Sequence, residues 1–436
     1  MNSETLNKED LALDLINFLD KSPVNFYAVK SIKSELDAHG FSELDSRNKW
    51  NIEKGGKYYV TKNNSAIFAF IVGDNITENG FKLICAHSDS PGFRIKPNPV
   101  MKTEGGIIKL NTEVYGGPIL YTWFDRPLSI AGRVIIKSDN PLYPKQETIK
   151  IERPILVIPH IAIHMNRTVN DGNPISKQKD MLPVLSVINK NLETENLLVN
   201  LIAEELNINS DDILDFDLFL YDTQKGSLAG LNNELISCGR LDDLAMAHAG
   251  LQALLNSESC GATKILAVFD NEETGSGTKQ GAASPILRNI MERIISCFGG
   301  SSDDFYRSIA SSFMISADMA HALHPNYPEK HDPTNHPIMG NGRVIKIHAN
   351  QKYLTDADSA AVFKQICKLA GVPYQEFVNH SDVVGGSTLG NILTSQIEIR
   401  GVDMGNPMWA MHSIRETACV DDHYYAVKAF TKFFEL

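Results

Sequence analysis

The sequence predicts an α/β protein in which a mixed sheet flanked by helices is interrupted by a β-rich insert. Three observations predict it. Apolar strand-like runs such as FKLICAHSD end abruptly in histidine or acid, which is where strands of α/β sheets carry ligands. From about residue 95, proline and glycine punctuate short alternating runs, a β texture. After GRLDD, helical and apolar strand-like runs resume, so 1–94 and 239–436 are expected to form one discontinuous domain around an insert at 95–238.

Taken in chain order, Leu11, Leu15, Phe18 and Leu19 share one helical face that stops before Pro23, predicting an N-terminal helix packed on the main domain. KYYVT, SAIFAFIVG and FKLICAHSD follow as strands. In the insert, KPNP, IIKLNTEVYGGP, RPLSIAGRVIIKS and PILVIPHIAIHM carry the β texture. Beyond it, LDDLAMAHAGLQALLN reads as a helix, and ILAVFD, FMISADMA and VIKI read as strands. The acidic clusters NSDDILDFD and SSDDF read as solvated surface or helix starts.

A chain of 436 residues is long enough for roughly two or three domains and a substantial core. Its 43% hydrophobic and 22% charged residues are ordinary for a globular protein. A net charge of −12 repels phosphates, and no basic stripe with interleaved aromatics occurs, so no nucleic-acid partner is expected. The opening MNSETLNKED lacks a basic and an apolar signal region, and no run of about 18 apolar residues follows; the expectation is a cytoplasmic protein with no membrane partner. Six cysteines without C-x-x-C spacing suggest neither a disulfide framework nor a thiolate zinc site. Any metal must then be held by nitrogen and oxygen.

Five segments place a histidine or carboxylate at the end of an apolar run: AHSDSP, GRLDD, FDNEETGSG, ISADMAHALHPNY and AMHSIRE. Each is weak alone, since a lone histidine after a strand is more often a hydrogen-bonded core residue. Together, His87, Asp242, Glu273, Asp318 and His412 can supply what zinc takes when thiolate is absent. With Asp242 bridging two ions, His87 and Asp318 complete one set of protein ligands, and Glu273 and His412 the other. Three carboxylates and a hydroxide would balance two zinc ions, and a neutral site can be buried. Adjacent Glu272 and Glu273 suit two roles: Glu273 as ligand and Glu272 as a general base for metal-activated water. A solvated acidic turn before Gly275 is the plainer reading of that pair. Asp89, two residues after His87, is placed to orient its imidazole.

In this order, the five segments resemble the aspartyl aminopeptidase family of dizinc metallopeptidases in its bacterial form. The likeness extends through EVYGGP, WFDRPLS, IPHIAIHMNR, LYDTQ, RVIKI and GGSTLG, nearly the whole chain. AHSDSP carries serine where threonine is common. The resemblance implies a phosphorylase/hydrolase-like catalytic domain, a dimerisation role for the insert, and dimers assembled into a homododecamer. It implies two zinc ions per subunit, which manganese or cobalt can replace, held by the five residues above, with Glu272 as general base. His164 in AIHM matches a histidine that reaches a neighbouring subunit's site, where it would stabilise the oxyanion or touch metal; His160 reads as structural. Lys346 in RVIKI matches the lysine facing an acidic substrate side chain, with His321 and His324 lining the same pocket. The glycines of GGSTLG, Gly386 among them, would let backbone amides approach substrate.

The implied activity is removal of the N-terminal residue, preferably aspartate or glutamate, from small peptides with a free N-terminus. A dizinc carboxypeptidase or deacylase on the same scaffold is the rival enzyme reading, separated by N-acylated substrates. A non-catalytic assembly protein is the third, and the intact FDNEETGSG and AMHSIRE segments speak against it.

Overall fold

The computed structural model describes residues 7–187 and 196–436, so the first six residues of the polar opening stretch lie outside it. The chain forms two compact units: Met1–Asp89, Gly226–Met411 and Glu416–Leu436 make the first, Ser90–Lys225 and His412–Arg415 the second. The divisions fall five and thirteen residues before the expected boundaries at 94 and 238, and His412–Arg415, expected in the discontinuous domain, groups with the second unit. Residues 90–94 lie in the second unit because the strand Gly92–Lys102 pairs from its first residue with Ile107–Tyr115. Residues 226–238 lie in the first because Leu235–Cys238 pairs along its length with Glu416–Cys419. Neither pairing is visible as composition.

The first unit is built on a nine-stranded mixed sheet. Its strands run in the order Ser42–Glu43, Lys57–Lys62, Ala66–Ile71, Thr263–Phe269, Phe81–His87, Phe313–Ala317, Arg400–Gly405, Arg343–Lys346 and Tyr374–Phe377. The four strands from Thr263–Phe269 to Arg400–Gly405 are mutually parallel. Both faces are covered. Phe81, Leu83 and Cys85 face one core, with Leu287, Ile290, Met291 and Ile294 of the helix Ile286–Cys297. Ile84 and Ala86 face the other, with the helices Lys8–Lys21, Leu241–Asn256 and Val420–Glu435. A strand buried on both sides reads as a continuous apolar run, which is why FKLICAH and ILAVF stand out in the sequence. A five-stranded sheet in the same unit orders Ser227–Ala229, Leu235–Cys238, Glu416–Cys419, Pro407–Trp409 and Ala320–His321.

The N-terminal helix spans Lys8–Lys21 with Leu11, Leu15, Phe18 and Leu19 buried, and the Asn7 side chain accepts the Glu9 amide as its cap. A second helix, Asn25–Ala38, starts directly after Pro23 and is not anticipated by the sequence reading, which stops at the proline. SSDDF starts a helix as expected, with Ser301 and Asp304 forming a capping box. All six cysteines are free thiols.

The second unit holds a six-stranded antiparallel sheet in the order Lys145–Lys150, Leu128–Ile136, Ile213–Asp222, Gly92–Lys102, Ile107–Tyr115 and Val184–Val187. Phe93, Ile95, Leu110, Ile130, Val134 and Leu218 fill its core with Leu198 and Ile202 of the helix Leu197–Leu206. KPNP lies in the strand Gly92–Lys102, where the register slips between Ile95 and Val100, because Pro97 and Pro99 have no N–H to give the ladder. PILVIPHIAIHM departs from its β texture. It makes isolated bridges at Leu156, Val157 and Ile158 and then turns at 163–165, Pro154 and Pro159 bracketing what would otherwise be a strand.

Candidate metal centre

Three adjacent parallel strands deliver chemistry at their carboxyl ends. Thr263–Phe269, Phe81–His87 and Phe313–Ala317 lie side by side, Phe269 level with His87 and Ser316 level with Cys85. Asp318, two residues past Ser316, therefore comes level with His87. Its amide donates to Met404 O at 2.9 Å, and Gly405 permits that close approach, since a Cβ there would lie 1.9 Å from the Asp318 carbonyl oxygen. Glu272 and Glu273 follow the first strand in a short 3-10 turn, Glu272–Thr274, bracketed by left-handed Asn271 and Gly275. Asp242 and Asp243 enter at the start of the buried helix Leu241–Asn256.

The side chains converge into two overlapping groups. His87, Asp242 and Glu273 offer ligand atoms within 4.8 Å of one another, as do Asp242, Asp243 and Asp318. Asp242 belongs to both, the position a bridging carboxylate requires, but the groups join His87 with Glu273 and Asp318 with Asp243, not His87 with Asp318 as expected, and neither includes His412. His87 is 1% exposed; its Nδ1 lies 3.0 Å from the Asp89 carbonyl oxygen, and its Nε2 lies 3.5 Å from Asp242 Oδ1. A carbonyl oxygen only accepts, so in the neutral ring Nδ1 carries the proton and Nε2 presents its lone pair toward the acids.

Electrostatics favour a cation at this place. Burial pushes Asp243 well above the usual carboxylate range, with neighbouring Asp318 and Asp242 adding to it. Asp318 is raised for the same reason, against the pull of Lys346. Glu272 is pushed up to about 8, by burial first and then by Asp318, Glu273 and Asp89. Burial disfavours charge on His87, but Asp242 and Asp89 beside its ring more than offset this and hold its pKa well above the usual histidine range. Crowded buried carboxylates are costly unless a cation compensates them, and an imidazole–carboxylate donor set is one that zinc takes. The residues present fit a divalent metal.

Other candidate residues are placed as follows. The Asp89 carboxylate stands 3.4 Å from His87 Nδ1, where it is expected to orient the imidazole, although the Asp89 main-chain carbonyl lies nearer at 3.0 Å; the same carboxylate accepts the amides of Glu272 at 3.1 Å and Glu273 at 3.2 Å. Lys346 is buried, its Nζ 3.1 Å from Asp318 Oδ2 and 5.7 Å from the Tyr353 ring centroid, so its ammonium stands at the centre and does not snorkel to solvent. His321 is exposed and packs edge-on against Phe377 at 6.1 Å, while His324 is tied into its own loop, its amide donating to His331 Nε2 at 3.0 Å. Gly386 sits in an exposed loop with open space around its Cα.

His412 and His164 belong to the second unit. His412 has φ +70° and its Nδ1 lies 3.1 Å from the Gly117 carbonyl oxygen. His164 is exposed in the turn at 163–165, whereas His160 is held by Asp125, whose carboxylate accepts its amide at 2.9 Å.

Three residues at the centre were not singled out from the sequence. Asp243 and Glu416 stand inside quoted motifs, GRLDD and AMHSIRE, so their signal was a second acid beside a ligand segment. Tyr353 has no such signal; only the fold brings its ring to Lys346.

Over nearly its whole length the chain is similar to known zinc aminopeptidases. The family model for aminopeptidase I zinc metalloproteases (M18) matches residues 18–434. A probable M18 family aminopeptidase 2 of Clostridium novyi is 54% identical over 99% of this chain and 100% of its own length. Among solved structures, the cryo-EM structure of the Ape4 and Nbr1 complex contains a chain of 37% identity and TM-score 0.94, covering 100% of this chain and 87% of that one. The S. cerevisiae mApe1 dodecamer matches at 27% identity and TM-score 0.85, covering 98% and 96%. With acids and imidazole gathered at the ends of three parallel strands and a family match along almost its whole length, the chain belongs to the M18 family and is a zinc metallo-aminopeptidase.

Proposed function

We propose that this protein removes single N-terminal residues, preferably aspartate or glutamate, from peptides with a free N-terminus, using two zinc ions held by His87, Asp242, Glu273, Asp318 and His412. The observation that carries the reading is the sharing of Asp242 between two groups of ligand atoms, each within 4.8 Å. Bound zinc supplies Lewis-acid polarisation and lowers the pKa of water, and manganese or cobalt can do the same in an N/O site. The protein's own groups do the rest. Glu272 takes the proton of the attacking water and hands it to the leaving amine, and its main chain is fixed for this by Asp89. Lys346 gives one of its three N–H donors to Asp318, and its positive charge suits a substrate carboxylate; His321, packed on Phe377 of the neighbouring strand, and the amides of the Gly386 loop would line the same pocket.

His164 acts on a neighbouring subunit's site, within dimers built by the second unit and assembled into a dodecamer like the S. cerevisiae relative. Exposed Ile161, Ile163 and Met165 beside it support an interface there. Six free thiols suit a reducing, cytoplasmic setting. A panel of unblocked and N-acylated aminoacyl substrates, with zinc analysis on the same sample, tests the reading. Turnover of unblocked acidic substrates with about two zinc ions per chain is expected. Cleavage confined to N-acylated substrates would overturn it.

A further inference from the structure

The ligand residues at this centre are held by their backbone as well as by their side chains. The amide of His87 donates to Asp243 Oδ2 at 3.1 Å, the amide of Asp242 to Glu416 Oε2 at 3.2 Å, and the amide of Glu273 to Asp89 Oδ2 at 3.2 Å. Asp318 differs, since its amide is taken by a neighbouring strand's carbonyl. Each carboxylate that accepts such an amide sits on a different chain segment from the residue it holds. The links therefore run in series: Glu416 of the strand Glu416–Cys419 holds Asp242, Asp243 beside it holds His87, and Asp89 two residues on holds the Glu272–Glu273 turn.

The first link has a specific need. Asp242 is not helical, with φ −83° and ψ 108°, so the helix it enters does not fix its backbone. Helix starts leave their amides without internal partners. A carboxylate acceptor makes a charge-assisted bond about twice as strong as a neutral one. Glu416 is 2% exposed, lies on a regular strand paired with Leu235–Cys238, and is in neither group of ligand atoms found among the described residues. Its carboxylate is thus in place to locate Asp242 without contributing a ligand atom.

We propose that Glu416 is a positioning residue for the metal centre, fixing Asp242 through its backbone amide at the head of a series of carboxylate-to-amide links that reaches Glu272. The inference rests on the assignment of Asp242 as a ligand. Residues that orient metal ligands from outside the coordination sphere change metal affinity by roughly ten- to a hundredfold when lost.

The test measures zinc retained by the full-length protein against a graded chelator, together with kcat, KM and thermal stability, for Glu416→Leu, Glu416→Asp, Glu416→Gln and Asp242→Ala. Glu416→Leu should release zinc roughly ten- to a hundredfold more readily, with kcat falling more than KM rises. Glu416→Gln keeps an acceptor oxygen at the same reach and should retain zinc best of the three. Glu416→Asp keeps the charge but withdraws it by one methylene, and should behave like Glu416→Leu; this pair decides the question if Glu416→Leu does not fold. Better retention in Glu416→Asp than in Glu416→Gln, or retention unchanged in all three while Asp242→Ala loses zinc, would overturn the inference. Wild-type retention in Asp242→Ala would instead remove the ligand assignment, and the inference with it.

Discussion

His87 and His164 sit in opposite circumstances. The first ends a strand buried on both faces, is 1% exposed, and has an acid or a carbonyl at each ring nitrogen and at its amide. The second lies exposed in a turn of the second unit, among exposed Ile161, Ile163 and Met165. One is preorganised by its own chain; for the ring of the other, no hydrogen bond or ion pair is found among the described residues. Preorganisation within a chain is what a catalytic group needs at the moment of reaction, so a role for His164 demands a partner surface, whereas the residues around His87 do not.

The sharpest break of this comparison is made inside the first unit. Glu272→Gln should leave zinc content intact and lower kcat by about 10²–10⁴, because the amide occupies the same space but cannot take a proton. Zinc analysis and kcat on one preparation check it. Full activity in that variant would remove Glu272 from its role and leave the raised acids around it without a catalytic purpose.

The second unit is tested by mixing. His164→Ala alone should cost about 10²–10³ in kcat if the ring stabilises developing charge. Glu272→Gln chains keep His164, and His164→Ala chains keep Glu272. Co-assembled from denatured or co-expressed chains, they should regain activity, up to about a quarter of wild type for random pairing in a two-fold dimer. If His164 serves its own chain's centre, no mixture recovers activity; if it serves none, His164→Ala keeps full activity on its own.

The first unit was far more legible in the sequence than the second, for physical reasons. Strands covered on both faces must be apolar throughout, so Phe81–His87 and Thr263–Phe269 announce themselves, and the polar residues that end them mark the site. The unit boundaries and PILVIPHIAIHM misled because pairing, which composition does not record, decides them; two prolines turn an alternating run into bridges and a turn. The expected charge balance, two zinc ions against three carboxylates and a hydroxide, also changes. It omitted buried Asp243, Asp89 and Lys346, whose importance comes from distances of about 3 Å across segments far apart in sequence. Tyr353 was illegible for the same reason, since nothing local marks an aromatic ring that will lie near a lysine.

Lys346 draws the comparison finest, because it belongs to the ordered region yet is expected to act outward, on substrate. Its Nζ lies 3.1 Å from Asp318, so removing it has two separable effects. Losing the countercharge at Asp318 would loosen zinc and slow every substrate alike. Losing an attraction for an acidic side chain would slow only acidic substrates. An ammonium–carboxylate pair about 4 Å apart is worth a few kcal/mol at the effective dielectric of a protein surface, before desolvation is subtracted. Lys346→Met should therefore lower kcat/KM for aspartyl and glutamyl substrates by about ten- to a hundredfold relative to alanyl or leucyl ones, with zinc content normalised first. Measured selectivity decides between the two. An equal fall for all substrates, tracking zinc loss, would make Lys346 a partner of Asp318 alone and move the acidic preference to another residue.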